Sequence, residues 1–197
     1  MRRPNIAGAA QMSYQMYLLI TGLLLALLFA AAWHDVRSYR IPNKLVFGGT
    51  VIAIVFNAVA PPGMGGLGVL DSLAGLAVGL IALLPLYLLR IMGAGDVKLM
   101  AMTGAFLGAG GAAAALMCVL LSGGVLALGV ALYQGNLLKL LQKLQVMVYI
   151  TTAYGSMPDS SIREGLSVHP TESIGKLPYG VAIAVGTAIY LAINHWG

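Results

Sequence analysis

Carboxylates are the residues of this chain that could perform acid–base chemistry, and there are few of them. The 197 residues include only six Asp and Glu, against 11 Lys and Arg and three His. Two carboxylates can act as general base and general acid, provided that the fold brings them together. Any such pair must come from Asp35, Asp71, Asp96, Asp159, Glu164 and Glu172.

Asp35 and Asp96 are the best candidates for a pair. Asp35 ends one apolar stretch and Asp96 begins another, at junctions that the charge pattern places on one side of a membrane. Two carboxylates at matching depth could share one proton, because like charges close together cannot both ionise easily. The ionised member could then deprotonate water while the protonated member polarises a carbonyl, which is the chemistry of aspartic peptide hydrolysis.

Each carboxylate also has a simpler interpretation. Asp96 could N-cap its own helix after a glycine turn, and Asp35 could pair with Arg37 or Arg40. Asp71 stands at the start of a further apolar stretch, where a helix N-cap is its natural role. The other three lie in a polar segment and are expected to be solvated surface charges: Asp159, Glu164 and Glu172.

The composition indicates a membrane protein. Hydrophobic residues make up 59% of the chain and charged residues only 9%, whereas soluble globular domains carry about 25% charged residues. This excludes a disordered chain, a nucleic-acid-binding module and an ordinary soluble enzyme. The single cysteine, Cys118, excludes a disulfide within the chain. We therefore expect an all-α polytopic membrane fold.

Six apolar stretches are long enough to consider as spans, since a helix needs about 20 residues to cross the hydrocarbon core. They form one predicted membrane domain over residues 1–197, in which a Gly/Ala-rich stretch at 108–111 separates the fourth span from the fifth. A loop at 135–177 is predicted to carry an interfacial helix near 137–150. The spans are predicted near 17–34, 45–60, 71–91, 97–112, 113–134 and 178–196.

Positive charge alternates between the predicted loops. The first, third and fifth loops carry three, two and four Lys and Arg, and the second and fourth carry none. Because cytoplasmic loops are enriched in Lys and Arg, the odd loops are predicted to be cytoplasmic and both termini external. Asp35 and Asp96 then face the cytoplasm from the cytoplasmic (inner) membrane, and Asp71 lies on the outer face.

Glycine is abundant, with 26 residues. Small residues let membrane helices approach closely, and a compact bundle of this kind suits a buried polar site between helices. The glycines with this expected packing role are Gly75, Gly79, Gly104, Gly108, Gly124 and Gly129.

Metal and nucleotide sites have little support. His34 precedes Asp35, as in metal phosphohydrolases, but such a site needs further His and Asp ligands. The remaining histidines, His169 and His195, lie in a loop and at the far terminus. No Gly-Lys-Ser/Thr follows a glycine run, so the sequence has no phosphate-binding loop of that type. We expect no metal and no cofactor.

Two motifs around the candidate pair resemble those of the type IV prepilin peptidases. The first is an Asp followed by Ile-Pro-Asn six residues on, and the second is Gly-x-Gly-Asp with a following Lys. The segment Lys-Leu-Pro-Tyr-Gly at 176–180 is also similar to a late segment of this family, and the resemblance covers roughly residues 17–196. The residues of the two motifs are Asp35, Ile41, Pro42 and Asn43, then Gly93, Gly95, Asp96 and Lys98.

The resemblance implies an integral-membrane aspartic endopeptidase that removes the basic leader of prepilins at the cytoplasmic face, after a glycine. Asp35 and Asp96 would be its catalytic pair. The implied partners are a prepilin, pseudopilin or preflagellin substrate and membrane lipid, with no nucleic acid.

The resemblance also assigns supporting roles to the motif residues. Gly93 and Gly95 would form a turn that lets the backbone approach the substrate. The Ile-Pro-Asn sequence at 41–43 would fix the start of the second span. The sequence alone defines no role for Lys98, which could act on the pair or extend to the membrane interface.

Larger members of this family carry an extra cytoplasmic segment with paired Cys-x-x-Cys motifs and also methylate the new N-terminus. This chain has one cysteine and no such insert between its first two predicted spans. It resembles the short form, such as the peptidases of Flp-type (tight-adherence) pili and preflagellin peptidases, so no methyltransferase activity is expected. The alternative is a small transporter or secretion-system scaffold in which Asp35 and Asp96 bind ions.

Overall fold

The computed structural model of the protein describes residues 6–38, 40–60, 66–88, 92–133 and 179–196. Every regular element in these ranges is a helix, which confirms the predicted all-α class for this part of the chain. The predicted loop at 135–177 and its interfacial helix near 137–150 lie outside the described residues. The helices are α1 (Ile6–Ser38), α2 (Asn43–Val59), α3 (Val69–Leu88), α4 (Ala94–Tyr133) and α5 (Tyr179–Trp196).

Within the described ranges, three helical segments are long and apolar enough to cross a membrane: Tyr14–Ser38, Val69–Leu88 and Ala94–Val130. Two further apolar helices are shorter, Asn43–Val59 and Tyr179–Asn194. The 17 residues of α2 rise about 25 Å, which is less than the hydrocarbon thickness of about 30 Å. The helices therefore indicate a membrane protein, whereas the predicted count of six spans is not established by the described residues.

The chain divides into two compact units, and the candidate residues belong to the first, Met1–Gly123 with Pro178–Gly197. The first part of α4 is the centre of this unit, because nearly every residue from Asp96 to Phe106 is buried. Even the hydroxyl of Thr103 is buried there, and it donates to the carbonyl of Leu99 one turn earlier. The neighbouring helices contribute the buried side chains of Leu24, Leu28, Val46, Ala53, Leu83 and Ile183 to the same core.

Glycines let α3 and α4 approach closely as antiparallel neighbours. A Cβ atom on Gly75 would collide with the backbone of Gly104 and Gly108, and one on Gly79 would collide with the backbone of Met100. Because backbone atoms cannot move aside as flexible side chains do, these positions require glycine, which agrees with the packing role expected for small residues in membrane helices.

α4 is interrupted at Gly108, in the Gly/Ala-rich stretch that is predicted to separate two spans. The residue has a φ of 72° and a ψ of 178°, a backbone conformation that glycine adopts without the steric penalty of a side chain. A break of this kind frees the backbone groups of the adjoining turns, and in an apolar environment each freed group needs another partner.

Side chains of α2 and α3 provide those partners. Asn57 Nδ2 donates to the carbonyl of Ala105 at 3.0 Å, and the hydroxyl of Ser72 donates to the same carbonyl at 2.7 Å. The backbone N–H of Ala109 donates to Asp71 Oδ1 at 3.2 Å. The carbonyl of Ala105 before the break and the N–H of Ala109 after it are therefore satisfied by three side chains from two other helices.

The predicted role of Asp71 as the N-cap of its own helix is wrong. α3 begins at Val69, so Asp71 lies inside the first turn rather than before it. Its carboxylate instead accepts the N–H of Ala109, which begins the continuation of α4 after the break. A sequence cannot show this because the acceptor and the donor are 38 residues apart.

Substitution of Asp71 tests how the break is stabilised. Asp71→Ala removes the acceptor of the Ala109 N–H and is expected to lower the free energy of unfolding by about 1 kcal/mol or more. Asp71→Asn retains an acceptor oxygen and is expected to cost less. Thermal unfolding in detergent measures both variants, and equal destabilisation by the two would show that this hydrogen bond does not stabilise the break.

Candidate active site

Asp35 lies in the last turns of α1, which ends at Ser38. Its side chain is buried, with 6% of the residue exposed, and its Oδ2 accepts the backbone N–H of Gly180 at 2.8 Å. The alternative of an ion pair with Arg37 is not what is found, since that guanidinium lies over the ring of Trp33 at 4.5 Å from its centroid. The partner of Asp35 is thus the first turn of α5.

Asp96 lies in the first turn of α4, which begins at Ala94. It is also buried, with 7% exposed, and its Oδ2 accepts the N–H of Gly93 at 3.3 Å. A third-position side chain that reaches back to the residue before the helix is a known N-terminal capping geometry. Asp96 is thus not the N-cap residue, because it lies inside α4, but one of its oxygens makes a capping hydrogen bond. Its Oδ1 is buried with no hydrogen-bond partner among the described residues.

The two carboxylates meet where α1 ends and where α4 and α5 begin. Asp35 interacts electrostatically with Asp96, and Tyr179 of α5 also interacts electrostatically with Asp96. A second negative charge on two buried, interacting carboxylates is unfavourable, because it meets both desolvation and repulsion. A pair of this kind that held a single proton would offer one proton donor and one proton acceptor.

The two motifs pack directly against each other. A Cβ on Gly95 would lie 3.3 Å from Cβ of Ile41, so the start of α4 lies against the residues that precede α2. Lys98 Nζ donates to Asn43 Oδ1 at 3.3 Å and lies 5.5 Å from the centroid of the Phe47 ring. Lys98, for which the sequence defines no role, therefore links α4 to the first residue of α2.

Pro42 precedes α2 with an extended backbone, at φ −63° and ψ 123°. Its carbonyl accepts the N–H groups of Leu45 and Val46 at 3.1 and 3.4 Å. Proline suits this position because its fixed φ is compatible with helix initiation and it needs no partner for an N–H. The Ile-Pro-Asn sequence thus lies at the point where the chain turns from α1 into α2.

Gly93 and Gly95 are expected from the sequence to form a turn that uses glycine's conformational freedom, but their backbone does not require it. Among the described residues, positive φ values occur at Gly68 and Gly108 and not at these two positions. Their missing side chains provide space instead. A Cβ on Gly93 would lie 3.3 Å from Asp96 Oδ2, which is closer than most contacts of this kind, and Gly95 makes room for Ile41 in the same way.

Reasoning from the sequence missed two residues of this site, Tyr179 and Gly180. Gly180 follows Asp35 by 145 residues, and Tyr179 directly precedes Gly180. No local spacing therefore connects these two residues with the candidate pair. The signal that could have found them is the Pro-Tyr-Gly end of the late segment that resembles the family. Among the described residues, no three His, Cys, Asp or Glu side chains come together as possible metal ligands.

Comparison with protein families identifies a match that contains both carboxylates. The model of the type IV leader peptidase family matches residues 22–132, which is more than half of the chain. This confirms the resemblance drawn from the two motifs and supports a leader-peptidase function in general. Comparison with curated proteins and with solved structures gives no match.

A double-mutant cycle tests the link between the motifs. Asn43→Ala and Lys98→Met each remove one side of the hydrogen bond, and their coupling in the free energy of unfolding is expected to be about 0.5 kcal/mol, because the pair is exposed. Thermal unfolding of the two single variants and the double variant in detergent gives this value. Strict additivity would show that the contact does not hold α2 and α4 together.

Proposed function

Because the chain belongs to the type IV leader peptidase family, we propose that it is a membrane aspartic endopeptidase with Asp35 and Asp96 as its catalytic pair. The observation that carries the proposal is the convergence of two buried, electrostatically interacting carboxylates from α1 and α4. Both lie within the residues matched by the family, and a pair that holds one proton has the two functions that peptide hydrolysis needs.

The proposed reaction uses the pair as one unit. The ionised carboxylate takes a proton from water as the water oxygen attacks the scissile carbonyl carbon, and the protonated carboxyl gives its proton to the carbonyl oxygen. When the tetrahedral intermediate collapses, the C–N bond breaks and the leaving amine receives the proton taken from water. The hydroxyl of the intermediate returns its proton to the second carboxylate, so the pair ends in its starting state.

The proposed substrate is the leader peptide of a prepilin, a pseudopilin or a preflagellin, cut after a glycine at the cytoplasmic face of the inner membrane. Three features support this: the family match, the alternation of positive charge between the loops and the location of both carboxylates at the ends of apolar helices. Methyltransferase activity is not part of the proposal, since the chain has one cysteine and no paired Cys-x-x-Cys motifs.

Amide substitution of the pair tests the catalytic assignment. Asp35→Asn and Asp96→Asn each remove one carboxylate, and each is expected to lower kcat by about 10³-fold or more. The assay is cleavage of a peptide with a basic leader and a glycine before an apolar run, by detergent-purified protein, followed by mass spectrometry of the products. Full cleavage by either variant would contradict the proposal.

Asp71→Asn is the matched control for those two substitutions. It makes the same chemical change in the other carboxylate of the described helices, which accepts the N–H of Ala109. Ala109 follows Asp96 by 13 residues, or about 20 Å along a helix, and cleavage by this variant is therefore expected to be close to that of the wild type. If Asp71→Asn lost activity as completely as the other two, the effect of amide substitution would not be specific to the pair.

Site-specific labelling tests the proposed orientation. In a Cys118→Ala background, Arg40→Cys marks an exposed residue just after α1, the helix that carries Asp35, and Pro62→Cys marks the next predicted loop. A membrane-impermeant maleimide added to intact spheroplasts is expected to label Pro62→Cys at once and Arg40→Cys only after lysis. The reverse pattern would place the carboxylates on the outer face and would contradict cleavage at the cytoplasmic face.

A further inference from the structure

The two carboxylates have unequal hydrogen bonding. Asp35 Oδ2 accepts a buried N–H from the first turn of α5 at 2.8 Å, through Gly180. Asp96 Oδ2 has a longer bond, 3.3 Å from the N–H of Gly93, and its Oδ1 is buried without a partner among the described residues. One carboxylate therefore has a short contact with a helix N-terminus, while the other has an oxygen that nothing in this part of the chain solvates.

This difference decides which member is better suited to negative charge. A backbone N–H at a helix N-terminus stabilises an ionised carboxylate, through a charge-assisted hydrogen bond and through the helix dipole. A buried oxygen without a donor stabilises the ionised form poorly, but when that carboxyl is protonated it becomes a donor itself. Asp35 thus meets the requirement for the ionised member, and Asp96 meets the requirement for the member that holds the proton.

Gly180 is the residue that makes the short contact possible. A Cβ at this position would lie 2.9 Å from Asp35 Oδ2, a distance that Cβ atoms in proteins essentially never show, and 3.2 Å from its Cγ, which is tighter than most contacts. Any side chain here would push the carboxylate away from the N–H that it accepts. The glycine lies within α5, so its small size, and not an unusual backbone conformation, is what the site uses.

We infer that Gly180 is a positioning residue for the proposed peptidase reaction: its backbone N–H holds Asp35 as the ionised, water-activating member and leaves Asp96 as the proton-carrying member. This inference rests on the proposed function for its catalytic meaning, but the location of the proton is measurable without cleavage. Among the other titratable groups, Tyr179 interacts with Asp96, and Lys98, two residues after Asp96, is bound to Asn43.

Gly180→Ala tests the positioning role in the cleavage assay. Loss of a hydrogen bond to a charged group is expected to lower kcat about 10- to 100-fold with little change in KM, and to move the acidic limb of the pH–rate profile to higher pH by about one unit. The direction follows because activity requires ionised Asp35, whose ionised form loses its donor. Gly22→Ala is the matched control, since a Cβ there meets nothing within 4 Å, and it should leave both kcat and the profile unchanged.

Infrared titration of the isolated carboxyls tests the inference independently of activity. In Asp96→Asn the remaining Asp35 should lose its protonated-carboxyl band at a lower pH than Asp96 does in Asp35→Asn. Adding Gly180→Ala should raise the midpoint of Asp35 and leave the midpoint of Asp96 unchanged. Equal midpoints, the reverse order, or a midpoint of Asp35 that does not respond to Gly180→Ala would overturn the inference, whatever the variants do to cleavage.

The cleavage assay and the infrared titration together distinguish a failure of the proposed function from a failure of this inference. If the wild-type protein cleaves no leader peptide while the infrared midpoints keep the expected order, the peptidase assignment is wrong. The positioning of Asp35 by Gly180 is then still supported. If cleavage depends on both carboxylates while the order of the infrared midpoints is reversed, the peptidase assignment is supported. The roles assigned to Asp35 and Asp96 within the pair are then wrong.

Discussion

Burial of two electrostatically interacting carboxylates, Asp35 and Asp96, is the constraint on which the other features of this structure depend. The charged form of either group is unfavourable in an apolar interior, and the Coulomb interaction between Asp35 and Asp96 adds to that cost. The chain compensates with backbone N–H donors, one from the start of α5 and one from the residue before α4. These donors belong to helix ends, so the ends of three helices must converge for the pair to exist.

Close helix packing provides that convergence, and glycine provides the packing. Gly75 and Gly79 bring α3 against the first part of α4, which fixes the helix that carries Asp96. Gly180 allows α5 to approach Asp35, and Gly95 allows the chain before α2 to lie against the start of α4. A side chain at any of these glycine positions would meet backbone or another residue of the site. The close approach of the helices around the two carboxylates therefore depends on glycine at these positions.

Much of the candidate site could be predicted because its information is local. Asp35 and Asp96 stand out in a chain with six carboxylates, and the two motifs around them resemble a family that the comparison confirms. The contacts across the bundle could not be predicted, because each joins residues far apart in the sequence: Gly180 with Asp35, Lys98 with Asn43, and Ala109 with Asp71. The incorrect N-cap assigned to Asp71 has the same origin, since a cap is a local pattern and its true partner is not.

The break at Gly108 has a consequence for how the protein is made. A membrane protein emerges from the ribosome in the order of its sequence, and free backbone groups are costly in lipid. The side chains that accept or donate at the break, Asn57, Ser72 and Asp71, all precede it in the chain. The partners are therefore synthesised before the second part of the helix that needs them, so hydrogen-bonding groups for Ala105 and Ala109 are already available when the interrupted helix enters the bilayer.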